Sequence, residues 1–201
     1  YTPRTLFPYT TLFRSSTKET LMDIYRELFL MQQTYATLFS VTNKLQVQGD
    51  RYFEVLTSRQ MMVMIAIIHL PEDETTLNNI ARKLGTTKQS VKQVITIIEN
   101  KAYVITSPSR QDKRAVNVKI TELGKQTMIA CAEKSLNFFA DVFENFTTEE
   151  MEILWTLLKK MYRFDGEEQD GFEENASSDE ELNEDQTRAL KEFERRRIER
   201  R

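Results

Sequence analysis

Two short runs of this sequence hold side chains whose types and spacing could do chemistry. The first is Thr87, Lys88, Gln89, Ser90, Lys92 and Gln93; the second is Arg110, Asp112, Lys113 and Arg114. Gln carries a donor and an acceptor that match the major-groove edge of adenine, Lys can bond guanine or a phosphate oxygen, and Arg offers a planar fork of donors. This is recognition by hydrogen bonds and charge, with no bond made or broken. Covalent chemistry has no comparable support. His69 closes an apolar run, and Cys131 lies on an apolar stripe, where a thiol is a buried small hydrophobe. With one His and one Cys the chain has neither an internal disulfide nor the ligands of a structural zinc site. Its five glycines are never spaced as a phosphate-cradling loop or a dinucleotide fingerprint. The expectation is a protein that is not an enzyme, with no catalytic residues, no metal and no cofactor.

The recognition residues need elements to position them. Leu77, Ile80, Ala81 and Leu84 repeat at helical spacing, and Gly85 is placed to end that helix in a left-handed turn. Thr86 or Thr87 then caps a second helix, to about Lys101, with Val91, Val94, Ile95 and Ile98 on one face and Lys88, Gln89, Ser90, Lys92, Gln93 and Thr96 on the other. Two short helices joined by a Gly turn form a helix-turn-helix. The runs Tyr103 to Thr106 and Val116 to Ile120 alternate with period 2 around the polar stretch Ser107 to Arg114, which predicts a two-stranded hairpin. Helix-turn-helix plus hairpin is a winged helix. From Leu77 to Lys125 it holds ten basic residues against three acidic ones, a net of +7, which is the electrostatic footprint of a duplex binder.

Longer helices flank this unit. An apolar pattern from Thr17 to about Gln48 (Leu21, Ile24, Tyr25, Leu28, Phe29, Met31, Tyr35, Leu38, Phe39) is wider than a lone domain needs, so part of it should meet a partner. Thr57 to Gln60 reads as a capping box opening a helix that Pro71 stops near Leu70. Thr121 caps a run to about Phe146, and Thr147 to Glu150 is another capping box, opening a last apolar helix through Tyr162. Helices from both termini form a pedestal that suits either self-association or a larger intrachain core. The predicted class is mainly α: a winged helix-turn-helix domain with a two-stranded β-hairpin wing, flanked by long N- and C-terminal dimerisation helices.

The ends differ from the middle. Residues 5–15, TLFPYTTLFRS, resemble a translated sequencing adapter, so residues 1–15 are read as a non-native scar and left out of the fold. Residues 165–201 carry 14 acidic and 7 basic groups and read as a disordered acidic tail, a solvated charged extension; the roughly helical spacing of Leu190, Phe193 and Ile198 leaves a fluctuating or partner-dependent helix over 185–201 as the alternative. Between them, residues 16–164 form the domain, with pedestal helices over 17–48 and 122–163 and the binding unit over 57–121. No apolar run approaches the roughly 20 residues that span a bilayer, so a cytoplasmic protein without membrane contact is expected.

Leu77-x-x-Ile80-Ala81-x-x-Leu84-Gly85, then Gln89-Ser90-Val91, then Asp112-Lys113-Arg114 leading into Val118-x-Ile120-Thr121-x-x-Gly124, resemble the MarR family of winged-helix transcription regulators over about Thr17 to Phe164. The acidic tail lies outside that pattern. The resemblance implies a homodimer, regulation (usually repression) through a pseudo-palindromic duplex operator, and a pocket for a small-molecule inducer whose identity the residues do not give. It also implies that the Asp112 carboxylate orients Arg114 into a narrow minor groove, while Arg110 and Lys113 add charge toward the backbone. The competing expectation is a dimeric winged-helix protein-interaction module without its own operator, against which the +7 unit argues.

Overall fold

The computed structural model describes residues 18–109, 115–166, 172 and 184–199. Seven helices and one hairpin follow one another among the described residues: α1 (Lys18–Phe53), α2 (Ser58–Ile68), α3 (Leu77–Lys83), α4 (Lys88–Asn100), β1 (Val104–Pro108), β2 (Val116–Ile120), α5 (Glu122–Val142), α6 (Thr148–Tyr162) and α7 (Glu184–Glu199). A single 3₁₀ turn, Glu72–Glu74, precedes α3. The chain divides into two compact units, Tyr1–Lys44 and Leu45–Arg201. In the first, α1 repeats apolar residues at helical spacing and leaves Leu21, Ile24, Tyr25, Leu28, Phe29, Tyr35 and Phe39 exposed.

The second unit has the core. Leu56, Met64, Ile80, Val91, Ile98, Val104, Val118 and Cys131 are fully buried, so α2, α3, α4, the hairpin and α5 each contribute to one apolar cluster. Threonine opens five of these helices: Thr57, Thr76, Thr87, Thr121 and Thr147 each accept a hydrogen bond from the amide three residues on. Each cap satisfies an amide that the helix cannot, worth about 1 kcal/mol. At Thr57 and Thr147 the reciprocal bond from Gln60 or Glu150 completes the capping box.

Two helix ends fall elsewhere than the sequence predicts. α1 continues past Gln48 to Phe53 because Gly49, a poor helix former, is where α2 begins to pack. A Cβ there would lie 2.4 Å from Ser58 Oγ, and Ser58 donates to the Gln46 carbonyl at 3.1 Å and to Asp50 at 2.6 Å. α5 stops at Val142 instead of Phe146, and the Phe143 and Phe146 rings meet edge to face at 5.6 Å across the corner into α6. A larger correction concerns the tail. Glu184–Glu199 is not a solvated extension but a helix packed on α5, anchored by Arg196 on Asp141. The helical spacing of Leu190, Phe193 and Ile198 allows this helix, but the spacing does not show its anchors, which are charged: Leu190 and Ile198 stay exposed. The expected scar, residues 1–15, lies outside the described residues.

Candidate nucleic-acid interface

The turn between α3 and α4 is set by Gly85, at φ +59°, which lets the Gly85 and Thr86 amides donate to the Arg82 and Ala81 carbonyls at 3.1 and 2.9 Å. That left-handed ending redirects the chain within three residues, which only glycine does without strain. Thr87 then caps α4. Its hydroxyl accepts from the Ser90 amide at 3.1 Å and lies 3.0 Å from the Ser90 hydroxyl, so these two predicted contact residues first serve to start the helix. Val91, Ile95 and Ile98 pin α4 to the core. Lys88, Gln89, Lys92, Gln93 and Thr96 are exposed on the other side. The polar run therefore forms one continuous face on a helix whose opposite face is immobilised.

β1 and β2 pair antiparallel from Val104↔Ile120 to Pro108↔Val116, and the Ser109 amide donates to the Ala115 carbonyl at 2.9 Å to close the connection. Arg110, Asp112, Lys113 and Arg114 belong to that connection and lie outside the described residues. Side-chain and backbone bonds that the sequence did not announce tie the hairpin to the helices. The Glu99 carboxylate accepts from the Thr106 amide at 3.1 Å and its hydroxyl at 2.6 Å. On the other strand the Val118 amide donates to the Thr75 carbonyl at 3.0 Å, and Asn117 donates to the Asp73 carbonyl at 3.3 Å. Glu99 is the single acid on α4, a signal that could have marked it as an internal partner.

Among the described residues the structure separates six of the ten cations that composition treats alike. Lys83 is buried, with its ammonium 5.4 Å from the centre of the Phe172 ring. Lys101 donates to the Val55 carbonyl at 3.2 Å and to Gln60 at 3.4 Å. Lys119 pairs with Glu72 at 2.7 Å and Lys125 with Glu122 at 3.8 Å. Lys83 and Lys101 thus serve the fold, whereas Lys119 and Lys125 remain exposed in surface pairs that contribute little; Lys88 and Lys92 are the exposed cations of α4. Behind the same helix lies a cleft of 620 Å³, lined by Arg59, Met62, Lys83, Ser90, Gln93, Val94, Tyr162 and Phe172 among others. Ser90 and Gln93 thus border both the polar face and the cleft.

The residues with reactive side chains are spent on structure. His69 Nδ1 lies 2.8 Å from the Ile65 carbonyl and its ring meets Phe172 edge to face. Cys131 is buried, and burial pushes its thiol above the usual range, opposed by nearby Lys134. Among the described residues no cluster of His, Cys, Asp and Glu could hold a metal ion, and no helix is long and apolar enough to cross a membrane.

No family model matches the chain. An HTH-type transcriptional regulator of Escherichia coli, PapX, is 22% identical over 139 residues, 68% of this chain and 82% of that protein. A MarR/EmrR family transcriptional regulator from Acinetobacter sp. ADP1 superposes with a TM-score of 0.59 at 19% identity, covering 67% of this chain and 95% of its own. MepR of S. aureus, in a complex with DNA, gives a TM-score of 0.56 at 23% identity, covering 64% and 96%. The chain has the winged-helix fold of the MarR-type regulators.

Proposed function

We propose that this chain is a MarR-family transcriptional regulator that binds double-stranded DNA by sequence, as a cytoplasmic homodimer on a pseudo-palindromic operator, and that a small ligand releases it. The observation that carries the reading is α4, which exposes Lys88, Gln89, Lys92 and Gln93 while Val91, Ile95 and Ile98 hold its back to the core. A helix so fixed can lie in a major groove, where Gln and Lys read adenine and guanine edges and a lysine near its start reaches phosphate. Arg110, Asp112, Lys113 and Arg114 are assigned to the adjacent groove and backbone.

Two other observations support the finer parts. Apolar side chains stand exposed on α1 and on α6, where Ile153, Trp155 and Leu157, with Phe164 just beyond the helix, are at least half uncovered; a second copy of the chain is the partner that this reading places there. The cleft behind α4 gives a small ligand a way to act on the reading helix, since anything lodged against Ser90 and Gln93 bears on α4 directly. Repression follows from occupancy of a promoter-borne operator.

The test is selection from a random duplex library with residues 16–201, sequenced after several rounds at near-physiological salt. Enrichment of an inverted repeat with half-sites about one helical turn apart supports the reading and supplies the operator. A folded, dimeric protein that enriches nothing overturns it in favour of a winged-helix protein-interaction module.

A further inference from the structure

α6 is a helix of 15 residues that buries none of them, so its direction is set at its ends rather than along a buried face. Its start is held at the corner with α5, where the Phe146 amide donates to the Phe143 carbonyl at 3.1 Å and the two rings meet. Its last residue, Tyr162, holds the other end. The phenol hydroxyl donates to the Lys83 carbonyl at 3.2 Å, and the ring lies against Gly85, where a Cβ would stand 3.8 Å from Tyr162 Cε2. A helix cannot satisfy its own last carbonyls. At the end of α3 the turn takes two of them, since the Thr86 amide donates to Ala81 and the Gly85 amide to Arg82. The carbonyl of Lys83, the last residue of α3, accepts from α6 instead, at the point where the chain is redirected into the reading helix. Tyr162 also borders two clefts. One is the 620 Å³ cleft behind α4; the other, of 840 Å³, is lined by Leu158 and Met161 of α6 and by Asn78, Ala81 and Arg82 of α3.

We infer that Tyr162 is a positioning residue that fixes the separation of the two reading helices of the dimer, and with it the half-site spacing that the protein accepts. The inference rests on the DNA-binding and homodimer reading above. In that reading α6 belongs to the part of each protomer that meets its partner, whereas α4 enters the groove. The distance between two copies of α4 is then only as sharp as the joint between α6 and the turn that launches α4. A helix of 15 residues is about 22 Å long, and a swing of about 10° about its α5 corner moves its far end by about 4 Å, more than the roughly 3.4 Å that separates base pairs. A loose joint therefore tolerates a half-site displaced by one base pair, and a bonded joint does not. The hydroxyl gives the joint its direction: a ring lying on glycine can slide, whereas a hydrogen bond to one carbonyl weakens steeply off its line.

The test uses the full chain and the half-site that the parent enriches in the selection above. That half-site is placed twice in a duplex, at the parental spacing or one base pair nearer or farther, and once alone. Tyr162→Phe removes only the hydroxyl, and Tyr162→Ala removes the ring as well; urea midpoints are measured beside the affinities. The parent is expected to favour its own spacing over either neighbour by about tenfold, and Tyr162→Phe to reduce that preference about fivefold, the weight of one hydrogen bond, while binding the lone half-site as the parent does. In Tyr162→Ala the preference is expected to vanish. A bond that served stability alone would lower the urea midpoint and leave the spacing preference where it was, and that result for Tyr162→Phe overturns the inference. Equal weakening on every duplex, the lone half-site included, also overturns it, because the bond then shapes α4 and not the spacing. A parent that enriches a lone half-site but no repeat overturns the dimer and this inference together, and a parent that enriches nothing overturns the DNA reading itself.

Discussion

At the residue scale, Thr121 and Gly124 show how a short pattern becomes a structural joint. The Thr121 hydroxyl caps α5 by accepting from the Gly124 amide at 3.0 Å, and it donates to the Ala102 carbonyl at 2.7 Å. Gly124 sits so close to the preceding turn that a Cβ would lie 2.1 Å from the Tyr103 carbonyl oxygen. Backbone cannot retreat as a flexible side chain can, so Gly124→Ala is expected to cost about 3 kcal/mol, read as a lower denaturant midpoint; an unchanged midpoint contradicts the close approach. Cys131 gives a pH dependence. Its thiol is held above the ordinary range in the fold, chiefly by burial, so the native state binds this proton more tightly than the unfolded chain does. The contribution is fully present below the unfolded thiol's pKa of about 8.5 and is lost as pH rises through the folded value. Urea midpoints should therefore fall more steeply above that range in the parent than in Cys131→Ala.

At the element scale, what was legible in the sequence is what is local. The caps at Thr57, Thr87, Thr121 and Thr147, the turn at Gly85 and the polar face of α4 all follow from residues within one or two turns of each other. The bonds from Glu99 to Thr106, from Lys119 to Glu72 and from Arg196 to Asp141 join separate elements. In the sequence Lys119 and Arg196 appear only as solvated charges, and only Glu99, the single acid on α4, stands out. For this reason the candidate contact residues of α4 could be named in advance, while the commitment of Lys83 and Lys101 to structural work could not. Glu99 also supplies a prediction. Removing its carboxylate frees the Thr106 amide, so Glu99→Ala should speed hydrogen exchange at Thr106 about fivefold, the equivalent of roughly 1 kcal/mol for one such bond. Exchange at the parent's rate would mean that the contact does not hold the wing.

At the scale of the whole molecule, the exposed apolar faces of α1 and α6 are where the proposed homodimer is tested. Trp155 on α6 is 52% exposed, with Lys159 over its ring at 3.9 Å, and a side chain of this size at the centre of an interface is the type that dominates association. Trp155→Glu is expected to weaken the proposed dimer by about 2 kcal/mol in sedimentation equilibrium, with the helix content retained. A parent that sediments as a single chain at micromolar concentration would contradict the homodimer.

The bonds that hold the hairpin have a consequence for how this protein behaves at high concentration. A two-stranded ribbon ordinarily offers two outer rows of amides and carbonyls as templates for another chain. Here the Glu99 carboxylate takes the Thr106 amide on the outer side of β1, and Thr75, together with the Thr76↔Asn117 bridge, occupies the outer side of β2. Both rows are interrupted by the protein's own groups. The wing can extend from the body without seeding the strand-to-strand assembly that leads to aggregation.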